Sequence, residues 1–534
     1  MSETRVPVLV VGAGYAGLSA AAGLAWRGVP TLLVERRAST SVQPKAFGLM
    51  PRTMEMLRPL PGVADALMAQ SRFDFMAEAR IVVGRSLTDP DPKVVLGGPG
   101  RDMTPYRNLS PAGFAAVSQA VGERVLREAA ERLGAELRFS TALRHLRVDP
   151  DGVTAELSDG TTVRADHLVA ADGHRSPVRE ALGIPVHGKG VLGHTHVIVF
   201  AADLDGIVDR TSFLLHYLQN EVFDGAFIVI DQGHYGLAVN YDPGRGQSAA
   251  DFTDERCAEL ARVATGVPDL AIEVVDHADF TMAHQVAARF TDPHRRVLLA
   301  GDAAHTMPPT GGQGGNLAVQ DGADAAWRLA LAVGGATGPE FLDTYDAERR
   351  PVGELVAGQQ LANYAERMAP HLRGGDDLPD LVDPMAAAFG AGVVDGAVEL
   401  EDPLRPSARV GFRAPNATIR HDGREISVID LFGAGFTLLT GADGHAWRTA
   451  AGAVGARLGV PVRAHLADSA ECADRYRLTG RGAVLVRPDG IIAWRHDDTA
   501  HDDATRDADR PAGRPLDEER LLADAFAGVL RLPR

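Results

Sequence analysis

The sequence predicts an α/β chain: a Rossmann-like dinucleotide-binding core, an antiparallel sheet inserted between its parts, and a separate C-terminal α/β domain. Three observations carry this. Val8–Val11 runs into Gly12-Ala13-Gly14-Tyr15-Ala16-Gly17 and a small-residue helix up to Trp26, and a second apolar run, Thr31–Val34, ends on Glu35. That is G-x-G-x-x-G between a strand and a helix, with an acid about 20 residues on. Two further apolar runs, Leu168–Ala171 and Val297–Ala300, end at Asp172-Gly173 and Gly301-Asp302. Between them, short segments rich in β-branched and aromatic residues alternate with Gly, Asp and Asn turns, as antiparallel strands do.

Taken in order, Gly12 makes the tight turn, Gly14 admits a pyrophosphate and Gly17 lets helix and strand pack closely, while Glu35 can accept from a ribose hydroxyl. This unit points to a dinucleotide without separating FAD from NAD. Arg36, Arg37, Lys45 and Arg52 follow and could reach a diphosphate; Arg37 reads better as a solvated surface charge. Phe73–Val83 is β-rich, and residues 84–111 form an irregular Pro/Gly-rich excursion. Gln119 opens an amphipathic helix. Asp172 suits either a crevice ligand or the N-terminus of a helix over Ser176–Leu182.

His196–Ala202, Ser212–Leu218, Ala226–Asp231 and Tyr235–Tyr241 are expected strands. Their aromatics, Phe213, Tyr217, Phe223, Phe227 and Tyr235, belong more often to a core than to a flat pocket. After Gly301-Asp302 comes a loop with Pro308, Pro309, Gly311, Gly312, Gly314 and Gly315, rigid at first and then bare of Cβ atoms. Asn316 can cap the helix that follows, whose apolar stripe runs Ala323, Ala326, Trp327, Ala330, Leu331. Its free N–H groups and positive dipole end would face whatever the loop holds. Glu340–Gln359 and Leu361–Leu372 read as helical after a break at Pro351, and Tyr364, Arg367, Met368 and His371 share one side. The C-terminal strands are Val428–Leu431, Thr437–Leu439, Val462–Leu466, Ala483–Arg487 and Ile491–Trp494.

The 534 residues call for three or four domains. With 45% hydrophobic and 23% charged residues the composition is that of a soluble globular protein. A net charge of -17 argues against nucleic acid and anionic membrane as partners. Cys257 and Cys472 are far apart and form no C-x-x-C. No targeting segment or membrane-length apolar run is visible, so a cytoplasmic location is expected. There is no zinc spacing, nucleophile elbow or P-loop, so no metal is expected. His305, a lone histidine after Gly301-Asp302, reads as structural.

Together, the N-terminal unit, Asp172-Gly173 within AADGHRSPVRE, and Gly301-Asp302 with PPTGGQGGN resemble the flavoprotein aromatic monooxygenases of the para-hydroxybenzoate hydroxylase type, over roughly residues 1–390. The whole length resembles the bacterial aromatic polyketide hydroxylases, of the aklavinone hydroxylase kind. The resemblance implies a Rossmann-like FAD-binding domain (1–75, 105–182 and 281–390), a substrate-binding sheet domain (76–104 and 183–280), a linker (391–408) and a thioredoxin-like domain lacking C-x-x-C (409–534). It implies FAD contacts from Gly12, Gly14, Ala16, Gly17, Glu35, Arg36, Lys45, Gln119, Asp172, Gly301, Asp302, Pro309, Gly311, Gly314, Gly315 and Asn316, with Arg175 and Arg179 assisting NAD(P)H. Lys45 stands where many relatives carry an arginine.

The implied chemistry is non-covalent FAD, reduced by NADPH or NADH, which with O2 gives a flavin C4a-hydroperoxide that hydroxylates a polycyclic aromatic polyketide. The protein must then exclude water and stabilise the anionic reduced flavin. No base is obvious; Arg367, Tyr217, His234 and His216 are the candidates. A Baeyer–Villiger or epoxidising oxygenase of the same fold, and a non-catalytic carrier of flavin or an aromatic ligand, are the alternatives. A monomer or homodimer is expected.

Overall fold

The computed structural model describes residues 3–40, 46–71, 80–96, 104–208, 214–230, 233–369, 372, 378–497 and 517–533. Its first layer is a sheet in which strand Glu3–Val11 lies parallel to Thr31–Val34 on one side and Thr162–Ala170 on the other. Glu136–Arg138 extends one edge in parallel. At the other edge Val297–Leu299 runs parallel to the end of Thr162–Ala170, while Gly152–Leu157 and Leu143–Asp149 add antiparallel. Val8, Leu9, Val10, Leu168, Val169 and Val297–Leu299 are fully buried, as strands covered on both faces must be.

Helices Tyr15–Trp26 and Gln313–Val333 cross on this sheet with almost nothing between their backbones. A Cβ on Gly322 would lie 2.1 Å from Ala16 O, and one on Gly23 would lie 2.8 Å from Ala326 Cβ. Ser19 Oγ, 3.2 Å from Val319 O, adds a hydrogen bond across the crossing. The helix Gln313–Val333 is buried on more sides than the expected stripe: Val319, Ala325 and Leu329 are as inaccessible as Ala326 and Trp327.

The second sheet has eight strands. Val186–Ala201 and Glu273–Ala287 form a long antiparallel pair, followed outward by His234–Tyr241, Asp224–Val229, Leu214–Gln219, Arg80–Gly84 and Lys93–Leu96. His305–Thr306 closes the other edge and ties this sheet to the loop after Val297–Leu299. Helix Asp254–Thr265 covers one face. Alternation puts Ile198, Leu237 and Phe227 on that covered face, and Val197, Ala238, Ala226 and Tyr217 on the other.

Several elements depart from the sequence reading. Glu273–Ala287 and helix Asp254–Thr265 were not singled out, and residues 84–111 include strand Lys93–Leu96 and a short 3-10 helix, Thr104–Leu109. The stretch Asp343–Arg367 is one helix with Pro351 inside it. An interior proline costs about 3 kcal/mol, and tertiary bonds on both sides of it hold the helix: Tyr345 Oη to Leu299 O at 2.8 Å and Arg349 to Asp321 before it, and Gln359 Nε2 to Asp380 O at 2.8 Å after it. Val428–Leu431 is 3-10 helix, and residues 391–408 include the hairpin Ala391–Val394/Ala397–Leu400. Phe213 and His371 lie outside the described residues.

The C-terminal sheet has Phe436–Thr440 at its centre, parallel to Val462–Leu466 and antiparallel to Ala483–Val486, which pairs in turn with Ile492–His496. With helix His445–Leu458 joining the parallel pair, this is a thioredoxin-like arrangement. It shares a core with the first layer: Phe436 meets Trp327 edge to face at 6.3 Å.

Charges cross the same junction. Glu348 accepts from Arg328 Nη2 at 2.8 Å and from Arg487 Nη1 at 2.8 Å, and Arg487 also holds Asp489 at 2.6 Å. Beside them Arg413 Nε donates to Glu55 at 2.9 Å and Arg52 Nη2 to Asp489 O at 2.7 Å. Burial pushes the Glu55, Glu348 and Asp489 carboxyls up, but the facing arginines outweigh it and hold all three below their ordinary range.

Removing one partner of such a pair leaves a buried charge alone. Arg487→Met is therefore expected to destabilise by about 3–5 kcal/mol, read as a lower urea midpoint. Because the folded-state pKa values are depressed, this stabilisation is complete above the ordinary carboxylate range and is lost as pH falls through the lowered values. Fluorescence of Trp327 and its neighbours during acid titration should stay native across that range and change below it.

Candidate active site

The parallel register gathers three segments that are far apart in the chain. Val11 pairs with Ala170, and Ala170 with Leu299. Gly12, Asp172 and Gly301-Asp302 therefore leave the sheet at one end, the carboxyl end where open α/β sheets hold ligands.

At the first turn Gly12 has φ +105°, and a Cβ there would sit 2.2 Å from Ala171 O. A Cβ on Gly17 would sit 1.9 Å from Gly12 O. Gly14 is different: the nearest atom to its Cβ position is Glu123 Oε1 at 3.9 Å, so this side of the turn is open. Helix Tyr15–Trp26 starts there without a side-chain cap. Glu35 lies beside the turn, accepting from Ala13 N and Arg37 N at 2.8 Å each. Arg36 is exposed next to it. Lys45 lies outside the described residues, but Ala46 O, directly after it, accepts from Gln119 N at 2.9 Å. The segment behind Lys45 is thus joined to the start of helix Gln119–Leu133.

Gln119 turns its side chain to Glu123 Oε1, 2.6 Å away. Glu123 is buried, and the sequence reading passed over both it and Tyr15. The Tyr15 ring fills the space that Cβ atoms on Gly122 and Gly315 would need. Burial, reinforced by Glu123, pushes the Tyr15 phenol far up, so it stays protonated.

The second helix start lies alongside the first. Gly301, at φ +62°, packs on Ala16 and Ala318. Gly312, at φ +63°, begins helix Gln313–Val333, again with no side-chain cap. Asp302 and Pro309 are exposed at this edge. The glycines here serve close approach: a Cβ on Gly311 would reach Gln360 Oε1 at 2.3 Å, and one on Gly315 would meet Ala46 Cβ at 3.1 Å. Gly314 has its nearest neighbour at 3.8 Å.

Asn316 is not the cap. It lies inside the first turn, where its Oδ1 accepts from Met50 N at 2.7 Å and its Nδ2 donates to Gly48 O at 3.2 Å and Gly312 O at 2.9 Å. Gly312 already occupies the cap position, so the amide is free to stitch the glycine loop to strand Phe47–Leu49. Asp172 is engaged in its own turn, accepting from Ser176 Oγ at 2.6 Å and Val178 N at 2.9 Å. Arg179 is buried and donates to Ala303 O at 2.8 Å, so it braces the two loops rather than offering itself to a nicotinamide nucleotide.

Asp321 organises the Gly301 corner. It is fully buried and accepts from Gly301 N at 3.0 Å, His305 Nε2 at 2.7 Å and Arg349 Nε at 2.8 Å. Burial raises its pKa; Arg349 and His305 more than reverse this. His305 is structural, as expected. Asp321 itself was legible as a charge in the small, apolar run of its helix.

Among the catalytic candidates, Arg367 and Tyr217 meet. Arg367 Nη1 donates to Thr310 O at 2.6 Å, and its guanidinium lies against the buried Tyr217 phenol. Burial raises the Tyr217 pKa and Arg367 opposes the rise. His234 is not with them. It pairs with Ala201, four residues along its strand from Ala238 in the Tyr217 row, roughly 13 Å away at strand rise. His216 neighbours Tyr217 and so faces the opposite side; burial lowers its pKa to about 4.

Two uncapped helix starts side by side, an open Gly14 and an exposed Asp302 fit a dinucleotide. Its diphosphate could face the first start and its ring system the second.

Comparison with known proteins agrees. A family model described as FAD binding domain matches residues 5–360, and one described as aromatic-ring hydroxylase, C-terminal, matches residues 407–515. An aklavinone 12-hydroxylase of Streptomyces purpurascens is 42% identical, covering 94% of this chain and 98% of its own. A tetracenomycin B2 monooxygenase-dioxygenase of Streptomyces olivaceus is 36% identical, covering 94% and 97%. The crystal structure of an aklavinone-11 hydroxylase in ternary complex with FAD and aklavinone is 39% identical and superimposes with a TM-score of 0.89, covering 99% of this chain and 100% of that one.

Asp302→Ala should weaken FAD binding by about 1.5–3 kcal/mol, the worth of a hydrogen bond to a charged group. Titration of the apoprotein with FAD reads the change; an unaltered affinity would make Asp302 a turn residue only.

Proposed function

The chain belongs to the FAD-binding family of aromatic-ring hydroxylases, and on that premise we propose that it uses NAD(P)H and O2 to hydroxylate a polycyclic aromatic polyketide. The observation that carries this is the joining of three distant motifs at one sheet edge, with Arg367 and Tyr217 fastened to the loop that closes that edge. The names of the relatives supply the substrate class. FAD, when bound, supplies acceptance of hydride and activation of O2 for transfer of one oxygen atom.

The residues divide the remaining tasks. Gly12, Gly14, Ala16 and Gly17 admit the diphosphate to the first helix start, with Glu35 at the adenosine ribose and Arg36 and Lys45 supplying positive charge. Gln119 and Asp302 hold the middle of the cofactor, and Asp172 shapes the crevice wall. Gly301, Pro309, Gly311, Gly314 and Gly315 set backbone against the flavin ring, where the helix start favours negative charge. Asn316 fixes that loop to Met50. Arg367 positions the loop and holds the Tyr217 phenol toward the substrate side of the sheet. The small residues Ala226 and Ala238 share that face with Tyr217, which suits it to a flat ligand.

Cys257 and Cys472 are both buried, and burial pushes their thiols up to about 11 and about 12. The thioredoxin-like domain therefore has a structural role. No helix among the described residues is long and apolar enough to cross a membrane, which supports a cytoplasmic assignment.

NADPH oxidation should be slow alone and faster with an aromatic polyketide, and the product should gain one atom from 18O2 and none from labelled water. All three oxygenations add one oxygen atom, so the bond connectivity of the product separates hydroxylation from ring-expanding or epoxidising chemistry; absence of turnover with any member of an anthraquinone and tetracyclic polyketide panel would overturn the enzymatic reading. Arg367→Gln should lower kcat/KM for hydroxylation by about 100-fold, the cost of a small misplacement at the reacting centre, while FAD stays bound.

A further inference from the structure

On the covered face of the second sheet, away from Tyr217, five side chains from three elements converge. His196 comes from strand Val186–Ala201, His277 and Asp279 from strand Glu273–Ala287, and Asp254 and Cys257 from the first turn of helix Asp254–Thr265. His196 Nδ1 lies 2.9 Å from Asp279 Oδ1, and His277 Nε2 lies 3.2 Å from Asp254 Oδ1. An N–H directed at each carboxylate leaves His196 Nε2 and His277 Nδ1 as the inward nitrogens, and these are 2.8 Å apart. One nitrogen of each histidine and Cys257 Sγ all lie within 4.8 Å of one another.

A carboxylate behind each imidazole, fixing its tautomer and aim, is the outer shell that metal-bound histidines carry. Two such pairs whose inner nitrogens meet beside a thiol have the donor set of a zinc-type site. We propose that His196, His277 and Cys257 bind one divalent zinc-like cation, with Asp279 and Asp254 as its outer shell and water as the fourth ligand. Tetrahedral zinc places N and S ligands roughly 3.3–3.6 Å apart, so the two imidazoles open by about half an ångström. On binding, the thiol proton and the proton shared between the imidazoles leave to solvent as the metal–sulfur and metal–nitrogen bonds form. His196 and Cys257 are buried, whereas His277 and Asp254 reach the surface and provide the entry path. The cation would fasten helix Asp254–Thr265 to the two long strands of the substrate sheet, from the side opposite the flavin.

The sequence shows no metal spacing because the three ligands stand about 60 and 20 residues apart and only the fold assembles them. The test uses holoenzyme incubated with zinc chloride and freed of excess metal by gel filtration. Elemental analysis should find about one zinc per chain, and a raised Tm should accompany it. Cobalt in place of zinc should give a thiolate-to-cobalt band in the difference spectrum against untreated holoenzyme. Cys257→Ser and His277→Gln should lose both signals, Cys472→Ser should keep them, and Asp254→Asn should weaken retention about 10-fold. If Cys257→Ser does not fold, His277→Gln and Asp254→Asn decide. Zinc well below one per chain, or equal retention by wild type and His277→Gln, overturns the proposal.

Discussion

The carboxylate of Asp321 is the interaction on which the cofactor half of the molecule depends. It receives the amide of Gly301, the ring of His305 and the guanidinium of Arg349 in a place closed to water. Each donor belongs to a different piece of chain: the end of a sheet strand, the edge of the second sheet, and the long helix Asp343–Arg367. A buried carboxylate with these partners resists displacement, because any donor that leaves exposes a charge to a medium that cannot solvate it. The Gly301-Asp302 corner is held in this way before any ligand arrives.

From that corner the sheet register does the rest. Three strands end level, two helices start together, and backbone N–H groups are presented without side chains in front of them. Neither helix start has a side-chain cap, which leaves those donors for an anion or a polar ring edge. Arg367 and Asn316 then join the glycine loop to the second sheet and to strand Phe47–Leu49, so the loop is braced on both flanks.

Much of this was legible in the sequence. The glycine motif, the two strand-end acids and the glycine loop are local patterns whose physics is local, and the family resemblance rests on them. The errors have a common origin in tertiary contact. Pro351 reads as a break, but Tyr345 and Arg349 hold its helix from outside. Asn316 reads as a cap until Met50 is brought to it. His216 and His234 look as near to Arg367 as Tyr217 does, and strand alternation and strand length set them apart from that pair. Val428–Leu431 has strand composition but closes on itself as 3-10 helix behind hairpin Thr418–His421/Arg424–Ser427. Glu123 carries no motif and Tyr15 stands at a variable position of the glycine motif, so only the packing of the two helices shows that they meet at the first turn.

The charged ladder from Asp324 through Arg328, Glu348 and Arg487 to Asp489 has a consequence for how such proteins can be recombined. It passes from the cofactor half to the thioredoxin-like half at the Glu348–Arg487 step, and Arg413 with Glu55 repeats the crossing nearby. A chimera that takes its thioredoxin-like half from a relative inherits only one side of each pair that crosses. Unless the donor's acids and bases match in order and spacing, the graft confronts buried like charges or empty sockets. The C-terminal portion therefore behaves as a keyed part, exchangeable only together with the helices that read it.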